Sequence, residues 1–169
     1  KRVAPTIKEV TDAYKDKISV VFKHNPLSFH PNAMPAAIAA EEARAQKGHE
    51  GFWKMHDKLF EMAPALSRAD LEKAAQSIGL NMNEFKKALD TKKHEARIKR
   101  DQQLVVSLGA SGTPAFFING RRMQGGAAPF PTFKAFIDGE LKKAEEMVSK
   151  GTAKKDLYAK LIENGATSQ

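Results

Sequence analysis

Apolar positions follow two rhythms along this chain. At residues 3–15 (VAPTIKEVTDAYK) Val3, Ile7, Val10 and Tyr14 recur at helical spacing, with Pro5 in the first turn or at a kink. Residues 18–26 (ISVVFKHNP) form a β-branched run closed by Asn25-Pro26, which predicts a buried strand. From Pro31 to Leu108 the period is helical. NAMPAAIAAEEARAQKG opens on an Asn cap and stops at Gly48, and EGFWKMHDKLFEM places Phe52, Met55, Leu59 and Met62 on one side. SRADLEKAAQSIGL carries a Ser67 cap and a Gly79 stop. The long stretch from Asn81 reads as two helices, or one broken near Thr91.

A different signal follows. GASGTPAFFINGRR (109–122) runs from a small-residue loop through Thr113-Pro114 into Ala115-Phe116-Phe117-Ile118. Proline cannot donate to a β ladder, so Pro114 belongs at a strand's first residue or on an edge. Asn119-Gly120 predicts a tight hairpin turn, with Arg121-Arg122-Met123 as the return strand and Gly125-Gly126 ending it. Phe133, Phe136, Ile137 and Leu141 mark another helix, and KKDLYAKLIEN a last one ending at Gly165. Three strands are visible, the first joined to the hairpin by a long crossover that suggests parallel pairing. The order predicts an α/β domain with a helical subdomain built into one connection.

Length and composition fit one domain, or one with an inserted subdomain: 169 residues, 41% hydrophobic and 28% charged. No apolar run approaches the roughly 20 residues of a membrane span. No signal peptide is visible, although a mature exported chain would have lost one. The net charge of +8 permits weak contact with anionic surfaces. No basic stripe is interleaved with aromatics, so nucleic acid is not an expected partner. There are no cysteines, which excludes disulfide and thiol chemistry within these residues. Internal repeats are absent.

Most other chemistry-bearing residues read as structural. His24, His30, His49, His56 and His94 have no compact metal-ligand spacing, so no metal site is expected. His56-Asp57 is an unpromising acid–base pair, because adjacent helical residues point in different directions. Trp53, with Phe52 and Phe60, reads as packing between helices. Lys92, Lys93, Arg97, Lys99 and Arg100 read as a solvated helix face. Ser67 and Ser111 lack triad partners, and Gly125-Gly126 lacks the context of a phosphate loop.

GTPAFFINGRR, FWKMHDKLF and VVFKHNPLSFH, in this order and spacing, resemble the DsbA-like branch of the thioredoxin superfamily across residues 1–145. The resemblance implies a thioredoxin-like fold with an inserted helical subdomain. Its core would be residues 1–30 and 109–145, the insert 31–108, and a C-terminal helical extension 146–169. In the extension, Leu157, Tyr158, Leu161 and Ile162 could cap the core or bind a neighbour. Alone, Gly112-Thr113-Pro114 reads as a trans proline at a strand start; the resemblance implies instead a cis bond, with Thr113 and Pro114 as substrate-binding residues.

By the same resemblance, the family's Cys-x-x-Cys pair would fall immediately before Lys1, as would the strand leading into it. Lys1 and Arg2 would then lie beside the thiols, though they are equally ordinary surface residues. The implied activity is thiol–disulfide oxidation or isomerisation of exported proteins, without a cofactor, in the periplasm or cell envelope. Implied partners are extended or unfolded polypeptides and a redox partner protein. Without cysteines the chain as it stands should be inactive, which leaves a non-catalytic peptide-binding module or an inactive fragment as alternatives. A missing central strand would leave Val20, Val21 and Phe22 unpartnered beside Phe116 and Phe117. Ordered structure is therefore expected to fill the slot, from upstream, from a cleaved piece still bound, or by exchange in a dimer.

Overall fold

Asn119 and Gly120 sit at φ 46° and 74°, the left-handed pair that a two-residue type I′ hairpin turn requires. They join β1 (Phe116–Ile118) to β2 (Arg121–Met123), antiparallel, with Phe116 opposite Met123 and Ile118 opposite Arg121. The computed structural model describes residues 2–163 and 165. Among them this hairpin is the only sheet, and the rest of the regular structure is helical: α1 (Ala4–Tyr14), α2 (Ala33–Met62), α3 (Arg68–Ser77), α4 (Met82–Asp90), α5 (Glu95–Ser107), α6 (Phe130–Ser149) and α7 (Lys154–Ile162).

The chain divides into two compact units, Lys1–Phe22 with Val106–Gln169, and Lys23–Val105. In the first, Val10 and Tyr14 of α1, Met123 of β2, and Phe133 and Ile137 of α6 form the buried core. Val3, Ile7, Ile18, Phe116, Ile118 and Phe136 pack around it, and Phe116 meets Phe133 edge-on at 4.9 Å between ring centroids. These are the apolar positions that the helical and strand periods single out. At the C-terminal end Leu161 is buried, Leu157 half-buried and Tyr158 exposed. A Cβ placed on Gly120 would lie 3.4 Å from Ile162, so α7 lies against the hairpin turn.

In the second unit α2 is interrupted where expected. Lys47 and Gly48 leave helical conformation, Gly48 at φ 65°, and the helix resumes towards Phe52, Met55 and Leu59, all buried. Ser67 closes a reciprocal capping box with Asp70 at the start of α3. Asn81 caps α4, and the predicted break near Thr91 separates α4 from α5. Asn32 precedes α2 but its side chain makes no capping hydrogen bond.

Three expectations are corrected. Residues 18–26 form no strand: Ile18 is extended, but no ladder is made, and Val20 and Val21 are 43% and 71% exposed. A strand needs a continuous ladder to a neighbour as well as β-branched side chains, and no such ladder over these residues forms among the described residues. The parallel pairing to the hairpin is therefore absent, and no other strand among the described residues fills the slot. His56 and Asp57, though adjacent on α2, do meet, with Nδ1 and Oδ1 2.9 Å apart.

Candidate functional site

In the first unit the residues ahead of β1 form an exposed loop. Gly109 turns the chain away from α5 at φ 78°, Ala110 is buried, and Ser111, Gly112, Thr113 and Pro114 are exposed. The Thr113–Pro114 peptide is cis, as is Ala63–Pro64 in the other unit. Two features shape the loop's surroundings. A Cβ on Gly126, itself at φ 56°, would stand 3.0 Å from the Pro114 carbonyl oxygen, so a side chain here would be strained and would press on the loop. A Cβ on Gly109 would stand 3.0 Å from Arg122 Nη1, which places an exposed guanidinium over the loop's entry.

The frame beneath the loop is fixed by packing and by two polar ties. Phe116 and Ile118 join the core that holds Val3, at the N-cap of α1, and Ile7 within it. Tyr14 Oη donates to Asp138 Oδ1 at 2.6 Å, linking the end of α1 to α6. Burial, then the hydrogen bond and negative charge of Asp138, push the Tyr14 phenol up to about 12. Glu140 of α6, buried, lies 3.2 Å from Arg121 of β2 and 2.6 Å from Lys143. The arrangement presents Thr113 and Pro114 on a braced platform beside a short hairpin. Such a platform can offer backbone groups to an extended peptide. With no cysteine in the chain, it holds no thiol to react.

The remaining candidates are distributed as follows. Lys1 lies outside the described residues, and Arg2 is exposed. Among the described residues, no group of three or more His, Cys, Asp or Glu is placed to hold a metal ion, and no helix is long and apolar enough to cross a membrane. Trp53 is half-buried, edge-on to Phe52 at 5.3 Å and to His56 at 5.1 Å.

The second unit holds a polar cluster that the sequence reading missed. Glu41 and Glu42 of α2 are both buried. Glu41 Oε1 is 3.0 Å from His24 Nε2, and its Oε2 is 3.1 Å from Arg44 Nε and 2.8 Å from Arg97 Nε. Burial raises the Glu41 carboxyl, but the His24 hydrogen bond and the charges of Arg97, His24 and Arg44 outweigh it and bring it to about 2. Glu42 meets Gln46 at 2.9 Å, Lys93 at 3.1 Å and His94 at 2.7 Å. Burial again pushes upward, and hydrogen bonds from Gln46, His94 and Lys93 hold the carboxyl below its usual range. Lys93 and Arg97 are thus partners of buried acids, which corrects their reading as part of a solvated face. The signal was present: Glu41 and Glu42 stand three and four residues after Ile38, on its buried side.

The antiporter named NhaA 3 of Salinispora tropica is 38% identical to this chain over 122 residues, covering 72% of the chain and 18% of the antiporter. The NhaA antiporter of Herminiimonas arsenicoxydans is 37% identical over 112 residues, covering 66% and 17%. NhaA 1 of Mycobacterium sp. (strain KMS) is 33% identical over 129 residues, covering 73% and 20%. The chain therefore spans about a fifth of the length of these curated relatives. No solved structure matches it. A family model described as the DSBA-like thioredoxin domain matches residues 2–138. That match takes in α1, the helical stretch and the hairpin together, and the chain belongs to the DSBA-like thioredoxin domain family.

Proposed function

We propose that this chain is the peptide-binding and helical part of a DsbA-like thiol–disulfide oxidoreductase acting on exported proteins in the periplasm or cell envelope, its redox cysteines supplied from sequence ahead of Lys1. The observation that carries the reading is the exposed Thr113-Pro114 loop, which runs directly into a hairpin that shares a core with Val3 and Ile7 at the start of α1. In this reading Thr113 and Pro114 hold an extended substrate strand. A thiolate at the start of α1 is stabilised by the helix's free N–H groups. A substrate dithiol loses two electrons and two protons to the enzyme disulfide through a mixed disulfide, and a redox partner protein reoxidises the enzyme. The exposed Val20 and Val21, strand formers without a ladder, support a further strand beside them, from upstream or exchanged from a second copy. The similarity to proteins named antiporters overlaps the DSBA-like match, so it supports a shared domain and brings no transport activity to this chain.

A second reading, a non-catalytic peptide-binding module, is favoured by the absence of cysteine. Two measurements separate them. The natural gene product is assayed for insulin reduction and dithiol-peptide oxidation; turnover that disappears when its Cys-x-x-Cys is replaced supports the oxidoreductase. A gene product with no such pair, or with the pair and no turnover, removes it. Fluorescence anisotropy with a labelled unfolded peptide then tests the module on the 169-residue chain. Binding weakened by Thr113→Pro supports it, and no binding leaves an inactive fragment.

A further inference from the structure

The buried acids of the second unit border a cavity of about 250 Å³, lined chiefly by Glu41, Arg44, Gly48, His49, His94 and Arg97. It belongs to a different unit from the Thr113 loop. Its charge is unbalanced. Both guanidiniums approach the same carboxylate oxygen of Glu41, so one negative charge faces two positive ones. Glu42 does not correct this, because Lys93 already matches it. A carboxylate buried for stability needs one well-placed cation; a second arginine over an open cavity is more than that requires.

The geometry also leaves the arginines usable. Each approaches Glu41 through Nε, Arg97 as a close ion pair whose buried Nε makes no hydrogen bond, so neither guanidinium is committed to a bidentate grip on the acid. The two side chains are 33% and 40% exposed, so a solute can reach them while the acid between them stays covered. Two arginines held by one buried acid, with His49 and His94 on the same wall, suit a planar or tetrahedral oxyanion. We propose that this cavity binds a small free oxyanion bearing a carboxylate or phosphate group, gripped by Arg44 and Arg97, with Glu41 as the positioning residue.

The test is a titration of the full chain with inorganic phosphate, and separately with succinate, at constant sodium chloride, followed by the NMR amide shifts of Gly48 and His49. Saturation by one of them supports the site and assigns its acid; saturation by both supports a general oxyanion site. Arg44→Gln and Arg97→Gln should each weaken binding about tenfold, whereas Arg100→Gln, an exposed arginine on the same helix as Arg97, should leave it unchanged. Shifts that drift linearly for both ligands, as they do with added chloride, overturn the proposal. So does equal weakening by Arg100→Gln, or binding indifferent to both cavity substitutions. Trp53 fluorescence checks that each variant is folded, and Arg44→Gln, at the arginine with the longer contact to Glu41, serves should Arg97→Gln unfold.

Discussion

The two units of this chain differ in how much charge they bury. The Lys1–Phe22 and Val106–Gln169 unit gathers apolar side chains from α1, the hairpin and α6 and buries one carboxylate, Glu140, beside Arg121 and Lys143. The Lys23–Val105 unit has an apolar interior around Phe85, Met55 and Ile38, yet it also buries two consecutive carboxylates and brings Lys93 and Arg97, just before and within α5, to them. An apolar core tolerates exchange of shape, because burial is non-directional. A buried acid tolerates almost none, because each lost partner leaves a charge without compensation. The apolar unit carries the exposed loop and the unladdered Val20 and Val21, and the polar one carries the charged cavity.

The largest effect should come from a core deletion. Phe85→Ala should cost about 3–5 kcal/mol, because Phe85 is fully buried and its loss leaves a cavity. The chain's single tryptophan, Trp53, lies in the same unit, so the denaturation midpoint read by its fluorescence should fall. Hairpin amides followed by hydrogen exchange report on the other unit. Equal losses by both probes would show one cooperative body and dissolve the contrast.

Next is Glu42→Gln, expected to cost about 2–3 kcal/mol by stranding Lys93 and His94 beside a neutral group. Both acids are held below their ordinary value of 4.5 in the folded chain, so the stability they confer is complete above that pH. It is lost as pH falls towards about 2, the folded value for Glu41. A urea-midpoint profile across that window should be steep in the wild type and shallower in the variant.

Gly126→Ala should cost about 1–2 kcal/mol, from a left-handed φ and a Cβ 3.0 Å from the Pro114 oxygen. It should also weaken peptide binding at the Thr113 loop; unchanged binding with lowered stability would separate loop shape from recognition. The smallest effect is Tyr14→Phe, about 1 kcal/mol. The Tyr14 pKa is raised, so its contribution is complete below pH 10 and lost as pH rises towards about 12. The variant should flatten that alkaline limb without touching the acid one.

The sequence reading reached far into the fold where the signal was local. The hairpin, the Ser67 cap, the break at Gly48 and the break near Thr91 were all legible, because each rests on a few neighbouring residues and a φ or capping requirement. The unit boundaries fall after Phe22 and Val105, whereas the family resemblance had suggested 30 and 108. The α7 segment lies in the first unit rather than apart from it. The candidate loop was found by its proline and its turn. The acidic cluster was overlooked because two glutamates in an alanine-rich helix look like solvent-facing charge until their partners are known.

By itself the chain's order of residues settled which stretches are helical, where the hairpin turns and which apolar faces are buried. These follow from propensity, period and turn chemistry, all of them interactions a few residues long. Only the tertiary structure decided that residues 18–26 stay unladdered and that Glu41 and Glu42 draw His24, Lys93, His94 and Arg97 around them. Pairing a strand or compensating a buried charge depends on groups far away in sequence, and no local pattern states whether they arrive.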